Sequence, residues 1–258
     1  MSDTNTTQPT VALALGSGAA RGAAHIGVLE VLEETGIDIS LIAGTSAGAL
    51  IGGAYAAGMT PTEIRTVVTA ARWSTFGKVN PGRRMSLFDT RPQQQAIAEH
   101  LGSMLIEDLP RRFAAVAYDL RSRKRVLLTT GSLSSAMQAS MAVPGLFPPV
   151  EIDGQLLIDG SIIEPVPVIA ATSLSKDQVI AVSVGASDKA AGPLARSLER
   201  TATLFGIETR TGAIANADLL IEPATADLAS WSHRDVPAII EAGRQATTEA
   251  LTSLDLSG

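Results

Sequence analysis

Short apolar runs alternate with stretches of helix-spaced apolar residues along most of this chain. Residues 11–15, Val-Ala-Leu-Ala-Leu, form a continuous apolar run of strand length. Over residues 23–35, Ile26, Leu29, Val31 and Leu32 recur at helical spacing, and Gly36 suits the cap that would end such a helix. Residues 41–43 read as a second strand and 47–57 as a second helix built from small residues. Helices are expected at 61–71, 93–101 and 132–141, a long one at 194–215, and a closing one at 236–254. Strands are expected at 113–120 and 125–130, joined by the charged turn Arg121-Ser122-Arg123-Lys124, and again at 179–185 and 219–221. Strand-like Val150-Glu151-Ile152 and Gln155-Leu156-Leu157-Ile158 flank Asp153-Gly154, a hairpin turn by its composition. Strands interleaved with helices predict an α/β fold whose largely parallel central sheet is covered on both faces. A disordered polar leader over 1–10 and a single domain over 11–255 complete this expectation.

Composition narrows the alternatives. With 258 residues, 45% of them hydrophobic and 18% charged, the chain can bury one large core. The net charge of -6 and the absence of a basic run argue against a nucleic-acid partner. The acidic surface also gains nothing from anionic lipid at long range, so peripheral membrane contact would rest on local apolar or basic patches. Cysteine is absent, which removes disulfides and thiolate metal sites and permits a reducing, cytoplasmic compartment. No metal and no cofactor is expected. Residues 39–61 carry no charge and contain the spacings Gly44/Gly48 and Gly48/Gly52. A membrane-spanning helix would explain this, but the strand-like opening and the Gly, Ser and Thr content favour a buried helix.

Three segments carry candidate chemistry. The first, Gly16-Ser17-Gly18-Ala19-Ala20-Arg21-Gly22, follows a strand and leads into a helix. A dinucleotide fingerprint begins this way, yet its third glycine would come one residue earlier, and the second strand should end in an acid for the ribose. The alternative use of such a loop is to aim backbone N–H groups at a negative oxygen, with Gly18 and Ala19 the best-placed donors. Arg21 would orient that loop or hold an anionic headgroup, unless it is simply solvated. The second segment, Gly44-Thr45-Ser46-Ala47-Gly48, lies where a buried strand meets a small-residue helix. That is the position of a nucleophile elbow, in which a strained serine is flanked by residues without side chains so that strand and helix can approach. The third segment is Asp159-Gly160.

The proton acceptor is harder to assign. Only His25, His100 and His233 exist. Ser46, Asp159 and His233 fall in the chain order of an α/β-hydrolase triad, but none of the histidines has a motif around it. Asp159 ends a strand and leads out of it; Asp119, at the end of another strand, is the reserve candidate or a turn-forming residue.

Taken together, these residues resemble a bacterial patatin-like phospholipase. The likeness rests on Leu15 to Gly22 with Ala24-His25-Ile26-Gly27-Val28-Leu29, on Gly44 to Gly48, on Ser140-Met141-Ala142-Val143-Pro144-Gly145-Leu146-Phe147-Pro148-Pro149-Val150, and on Asp159-Gly160. It runs from about residue 11 to residue 223, with a fainter match over 239–250. The resemblance implies a three-layer α/β/α sandwich and a lipid or other acyl-ester substrate. It further implies a Ser–Asp dyad with Ser46 as nucleophile and Asp159 as base. Gly18 and Ala19 would form the oxyanion hole, supported by Gly16, Arg21, Gly22, Gly44, Gly48 and Gly160. Three positions depart from the family pattern. Ala19 stands where Gly is frequent, and Ser161 replaces the usual Gly or Ala. Glu164 stands where Asn often precedes Pro-Val-Pro, a carboxylate that either raises the pKa of the base or turns to solvent. Residues 73–89, with Trp73, Phe76 and Phe88 beside Lys78, Arg83 and Arg84, read as an interfacial lid or an ordinary surface loop. A patatin-like scaffold with little turnover, acting as a regulator or adaptor, and a nucleotide-dependent oxidoreductase are the alternatives to an acyl hydrolase.

Overall fold

Alternation of side chains along each strand sorts the core into two faces. In the computed structural model, which describes residues 10–70, 78–79, 88–89, 97, 99–184, 193–207, 211–225 and 235–253, β1 is Thr10–Leu15. After it come α1 (Ala24–Glu34), β2 (Asp38–Thr45), α2 (Ala47–Ala56) and α3 (Pro61–Ala70). Two short strands, β3 (Lys78–Val79) and β4 (Phe88–Asp89), pair antiparallel with each other. The next elements are β5 (Arg112–Asp119), β6 (Lys124–Leu128), α4 (Leu133–Ser140), β7 (Val150–Ile152) and β8 (Gln155–Asp159). The described chain ends with α5 (Val168–Leu174), β9 (Gln178–Val182), α6 (Pro193–Phe205), β10 (Leu219–Ile221) and α7 (Val236–Ser253).

Among the described residues, eight strands form one sheet in the order β10-β9-β1-β2-β5-β8-β7, with β6 also on β5. The run from β10 to β5 is parallel, whereas β6 and β8 are antiparallel to β5. Leu13, Leu15, Ile42, Phe113 and Val182 face α1, α2, α4 and α7. Ala12, Ala14, Leu41, Ala43, Val179 and Ala181 face the other way, onto Val168, Ala170 and Ala171 of α5. Helices thus cover both faces of a mixed sheet, the three-layer α/β/α arrangement.

The uncharged stretch 39–61 resolves into all of β2 after Asp38, the short α2, whose residues are buried on nearly every side, and the turn into α3. Among the described residues no helix is long and apolar enough to cross a membrane. The expected long helix over 194–215 instead stops at Phe205. Gly206 takes φ 61° there, its N–H bonds Thr203 O, and the Ile207 N–H reaches back to Ala202 O. This is a Schellman stop, the same device that ends α1 at Gly36. Of the remaining expectations, the hairpin turn is as read, with Asp153 and Gly154 both at positive φ. The helix expected at 93–101 falls partly outside the described residues.

Helices α1 and α7 meet at backbone distance. A Cβ on Gly27 would lie 2.0 Å from the Ile240 carbonyl oxygen, and one on Gly243 would lie 2.1 Å from that of Ala24. At the rim of this contact Arg244 bridges Glu30 and Glu34, at 3.1 and 2.8 Å. Because the obstacle is backbone, one added methyl must push the helices apart. Gly27→Ala should therefore cost about 1–3 kcal/mol in urea unfolding, despite the better helix propensity of alanine.

Candidate active site

Strand β2 delivers Ser46 into a sharp turn before α2. Ser46 sits at φ 55°, ψ −116°, a conformation disfavoured for any side-chain-bearing residue. The turn fits because its neighbours are small. A Cβ on Gly48 would come within 2.0 Å of the Leu15 carbonyl oxygen, and one on Gly44 within 2.6 Å of the Ala49 Cα. The Ser46 N–H donates to Ser140 Oγ at 2.9 Å, and the Ser140 hydroxyl donates onward to the Val116 carbonyl at 2.7 Å. Ser140 thereby pins the strained residue to the middle of β5.

Asp159 reaches the same point from β8. The Ser46 hydroxyl donates to Asp159 Oδ2 at 2.8 Å, across 113 positions of sequence. The carboxylate is fully buried. Its other oxygen, Oδ1, accepts the Ser161 N–H at 2.8 Å and the Ser161 hydroxyl at 2.5 Å. Burial pushes the Asp159 carboxyl up to about 6, against the opposing pull of the Ser161 and Ser46 hydrogen bonds. Gly160 leaves no room above β5: a Cβ there would stand 2.3 Å from the Val116 carbonyl oxygen.

The loop after β1 is tied at its base and open at its tip. The Gly16 N–H bonds Val182 O at 3.0 Å, the Ser17 N–H bonds Pro165 O at 2.8 Å, and Gly16 O bonds His25 Nε2 at 2.7 Å. Among the described residues, neither the Gly18 nor the Ala19 N–H meets a protein acceptor. Ala19, the departure from glycine, adopts φ 52° and carries the strain a glycine would avoid. Arg21 is buried, not solvated. Gly22 lies against the elbow, since a Cβ on it would meet the Ala47 Cβ at 2.4 Å. The loop and the serine turn are therefore adjacent.

Other candidates are placed elsewhere. His25 is fully buried under the loop, and burial lowers its pKa to about 4, so it is neutral. His100 is exposed on a helix, and His233 lies outside the described residues. Asp119 accepts the N–H groups of Arg121, Ser122 and Leu156, a turn-forming role. Glu164 neither faces solvent nor acts on the base: it is buried, pairs with Arg125 Nη1 at 2.5 Å, and accepts the Ala170 N–H at 2.9 Å. Of residues 73–89, only β3 and β4 are among the described residues.

In the sequence Ser161 stands out only as a departure and Ser140 only as part of a motif. A hydroxyl two positions after an aspartate is a signal for local bonding back to that carboxylate, and could have identified Ser161. Nothing local marks Ser140, whose partners come from β2 and β5.

The family model for patatin-like phospholipase matches residues 13–172. An uncharacterized NTE family protein of Mycobacterium tuberculosis is 40% identical over 196 residues, covering 76% of this chain and 54% of that protein. Patatin-like phospholipase domain-containing protein 6 of Mus musculus is 35% identical over 189 residues, covering 70% of this chain and 14% of that protein. The crystal structure of VipD from Legionella pneumophila superposes with a TM-score of 0.62 at 15% identity, covering 95% of this chain and 67% of that one, a likeness of fold. This chain spans about half the length of the mycobacterial relative it matches.

Two buried groups give the site a signature in stability. Asp159, raised from 3.8 to about 6, costs folding stability once pH exceeds its unfolded value, because the unfolded chain releases the proton first. His25, lowered from 6.5 to about 4, contributes stability above pH 6.5 that is lost as pH falls toward 4. Between pH 4 and 6 the two oppose each other. Asp159→Asn removes the first, so it should be more stable than the parent at pH 7.5 by about 1–3 kcal/mol. That advantage should vanish by about pH 4. Urea titrations of both proteins across this range measure it, and an Asn variant less stable at pH 7.5 contradicts the assignment.

Proposed function

The chain belongs to the patatin-like phospholipase family, and on that footing we propose that it is a serine acyl hydrolase cleaving ester bonds of lipids. The reaction would be that of a phospholipase A or lipid esterase, run by a Ser46–Asp159 dyad. The observation that carries this reading is the 2.8 Å hydrogen bond from a strained, elbow-borne serine to a fully buried carboxylate. The neutral His25 ring, bonded to Gly16 O, has its Nε2 committed away from that pair.

Ser46 Oγ attacks the ester carbonyl carbon as its proton passes to Asp159 Oδ2. The carbonyl oxygen becomes an oxyanion, which the Gly18 and Ala19 N–H groups bind. Collapse expels the alcohol, which leaves with the proton from Asp159, and Ser46 holds the acyl group. Water then attacks the acyl-enzyme with Asp159 as base, freeing the carboxylic acid and restoring the serine. An ordinary carboxylate near 3.9 is a poor base for a hydroxyl. Burial, by raising Asp159 to about 6, narrows that gap while keeping it ionised at neutral pH. The reaction takes place at a lipid surface met peripherally from the cytoplasm, as part of the same proposal.

Ser46→Ala should abolish labelling by a fluorophosphonate probe and lower turnover by about a thousandfold or more. Asp159→Asn should also collapse turnover, while His233→Ala stays within a fewfold. A panel of aryl esters, phospholipids and acylglycerols reads both the activity and the preferred head group. A scaffold without turnover predicts no labelling of the parent protein, and a triad predicts that His233→Ala is as inactive as the serine variant.

The base also sets the pH dependence. Since Asp159 must be ionised, kcat/KM should fall below about pH 6 with a slope of one proton. A profile on a soluble aryl ester checks this, and a limb near 4 would contradict a base made basic by burial.

A further inference from the structure

Ser161 spends two donors on one oxygen. Its N–H and its hydroxyl both bond Asp159 Oδ1, at 2.8 and 2.5 Å, while among the described residues Oδ2 receives the Ser46 hydroxyl alone. The N–H belongs to the turn Gly160–Ile162 and would be present with any residue but proline at position 161. The hydroxyl, by contrast, depends on the serine side chain at this position. At 2.5 Å to a carboxylate it has the length of a charge-assisted bond, the stronger kind. The turn cannot slide away from it, because Gly160 is pressed on the Val116 carbonyl. Ser161 itself is 8% exposed, and the carboxylate is 0% exposed, so bulk water does not compete.

We propose that the Ser161 hydroxyl is a positioning residue for the base, fixing Asp159 through Oδ1 so that Oδ2 is presented to Ser46 as an ionised acceptor. This rests on the Ser46–Asp159 reading of the reaction. The hydroxyl is well placed for the task because no charge does it. Glu164 and Arg125 neutralise each other, Asp119 is held by the amides of its own turn, and His25 is neutral. Tyr118 packs among Ile158 and Ile162, Arg21 is buried in the turn after β1, and Arg196 of α6 is exposed. None of these is among the groups that shift Asp159; burial acts in one direction and the hydroxyls of Ser161 and Ser46, with the Ser161 N–H, act in the other. Taking away the Ser161 hydroxyl leaves burial less opposed. The base would then bind its proton more tightly, and a larger fraction of the enzyme would be protonated and inactive near pH 6.

The test is the pH profile of kcat/KM on a soluble aryl ester for the parent, Ser161→Ala and Ser161→Thr, with fluorophosphonate labelling rates as a second readout of the same limb. Ser161→Ala should move the acid limb upward by about one pH unit. Ser161→Thr, which keeps the hydroxyl, should leave it in place. If the alanine variant does not fold, Ser161→Gly, the residue type common here in the family, reads the same limb. A limb that stays within about 0.2 unit of the parent in the variants lacking the hydroxyl overturns the proposal, as does a threonine limb that moves as far as the alanine one. A failure of the dyad itself looks different: Ser46→Ala would then keep its turnover and its labelling, whatever the Ser161 variants do.

Discussion

One edge of β5 brings the site together. Strand β2 runs parallel to β5 and ends with Thr45 opposite Val116. Strand β8 runs antiparallel to β5 and ends with Asp159 opposite Ala117. The other edge of β5 is taken by β6 over Ala115–Asp119, so β2 and β8 must share the remaining one. Two strand ends therefore approach head-on beside consecutive residues of β5. Ser46 and Asp159 are the residues that emerge at that junction, 113 positions apart in the chain and 2.8 Å apart in space. The Val116 carbonyl at this point also accepts the Ser140 hydroxyl that holds the Ser46 N–H, and it is what presses on Gly160.

The electrostatics follow from how that junction is closed. Two carboxylates are fully buried near one another in sequence, and they are treated in opposite ways. Glu164 has a guanidinium counter-ion in Arg125 and a helix amide at Ala170, so its charge is balanced within the fold. Among the described residues, the donors to Asp159 are neutral: two hydroxyls and one amide. A cation beside it would stabilise the ionised form and remove its basicity along with the cost of burying it. The Arg125–Glu164 pair balances the second acid, while the described donors to the first are all uncharged.

Much of this was legible in the sequence, and the boundary of legibility is physical. The alternation of large and small residues in 11–15 already marks a strand buried on both faces, and the spacing of Ile26, Leu29 and Leu32 marks the helix against it. The elbow could be read because its steric demand falls on positions 44 and 48, next to the serine itself. The end of α6 is not legible in the spacing, because a single glycine, Gly206, outweighs an amphipathic pattern that continues past it. The pairing of Ser46 with Asp159 was reachable only through family resemblance, since it depends on the register of three strands. The role of Ser140 depends on that register too. Glu164 was legible as a charge but not as half of an ion pair, because Arg125 comes from the far edge strand.

Strain supplies the remaining link between fold and chemistry. Among the described residues, four that are not glycine have positive φ: Arg123 and Asp153 in tight turns, and Ala19 and Ser46 at the site. Turns accommodate such residues on the surface, but at the site each costs about 1–3 kcal/mol that the surrounding packing must offset. That expenditure has a geometric consequence. In the strained turn the Ser46 N–H is consumed by Ser140, so under the proposed reaction that amide is not a donor to the oxyanion. The donors must come from a neighbouring strand end. Strand β1 is the parallel neighbour of β2, with Leu15 opposite Gly44, so its loop opens at the same carboxyl edge of the sheet as the elbow. Three hydrogen bonds hold the base of that loop while Gly18 and Ala19 keep free N–H groups at its tip. In the proposed reaction, the parallel pairing of β1 with β2 is thus as necessary as the antiparallel arrival of β8. A sheet parallel throughout would have carried the Asp159 strand end away from the serine instead of toward it.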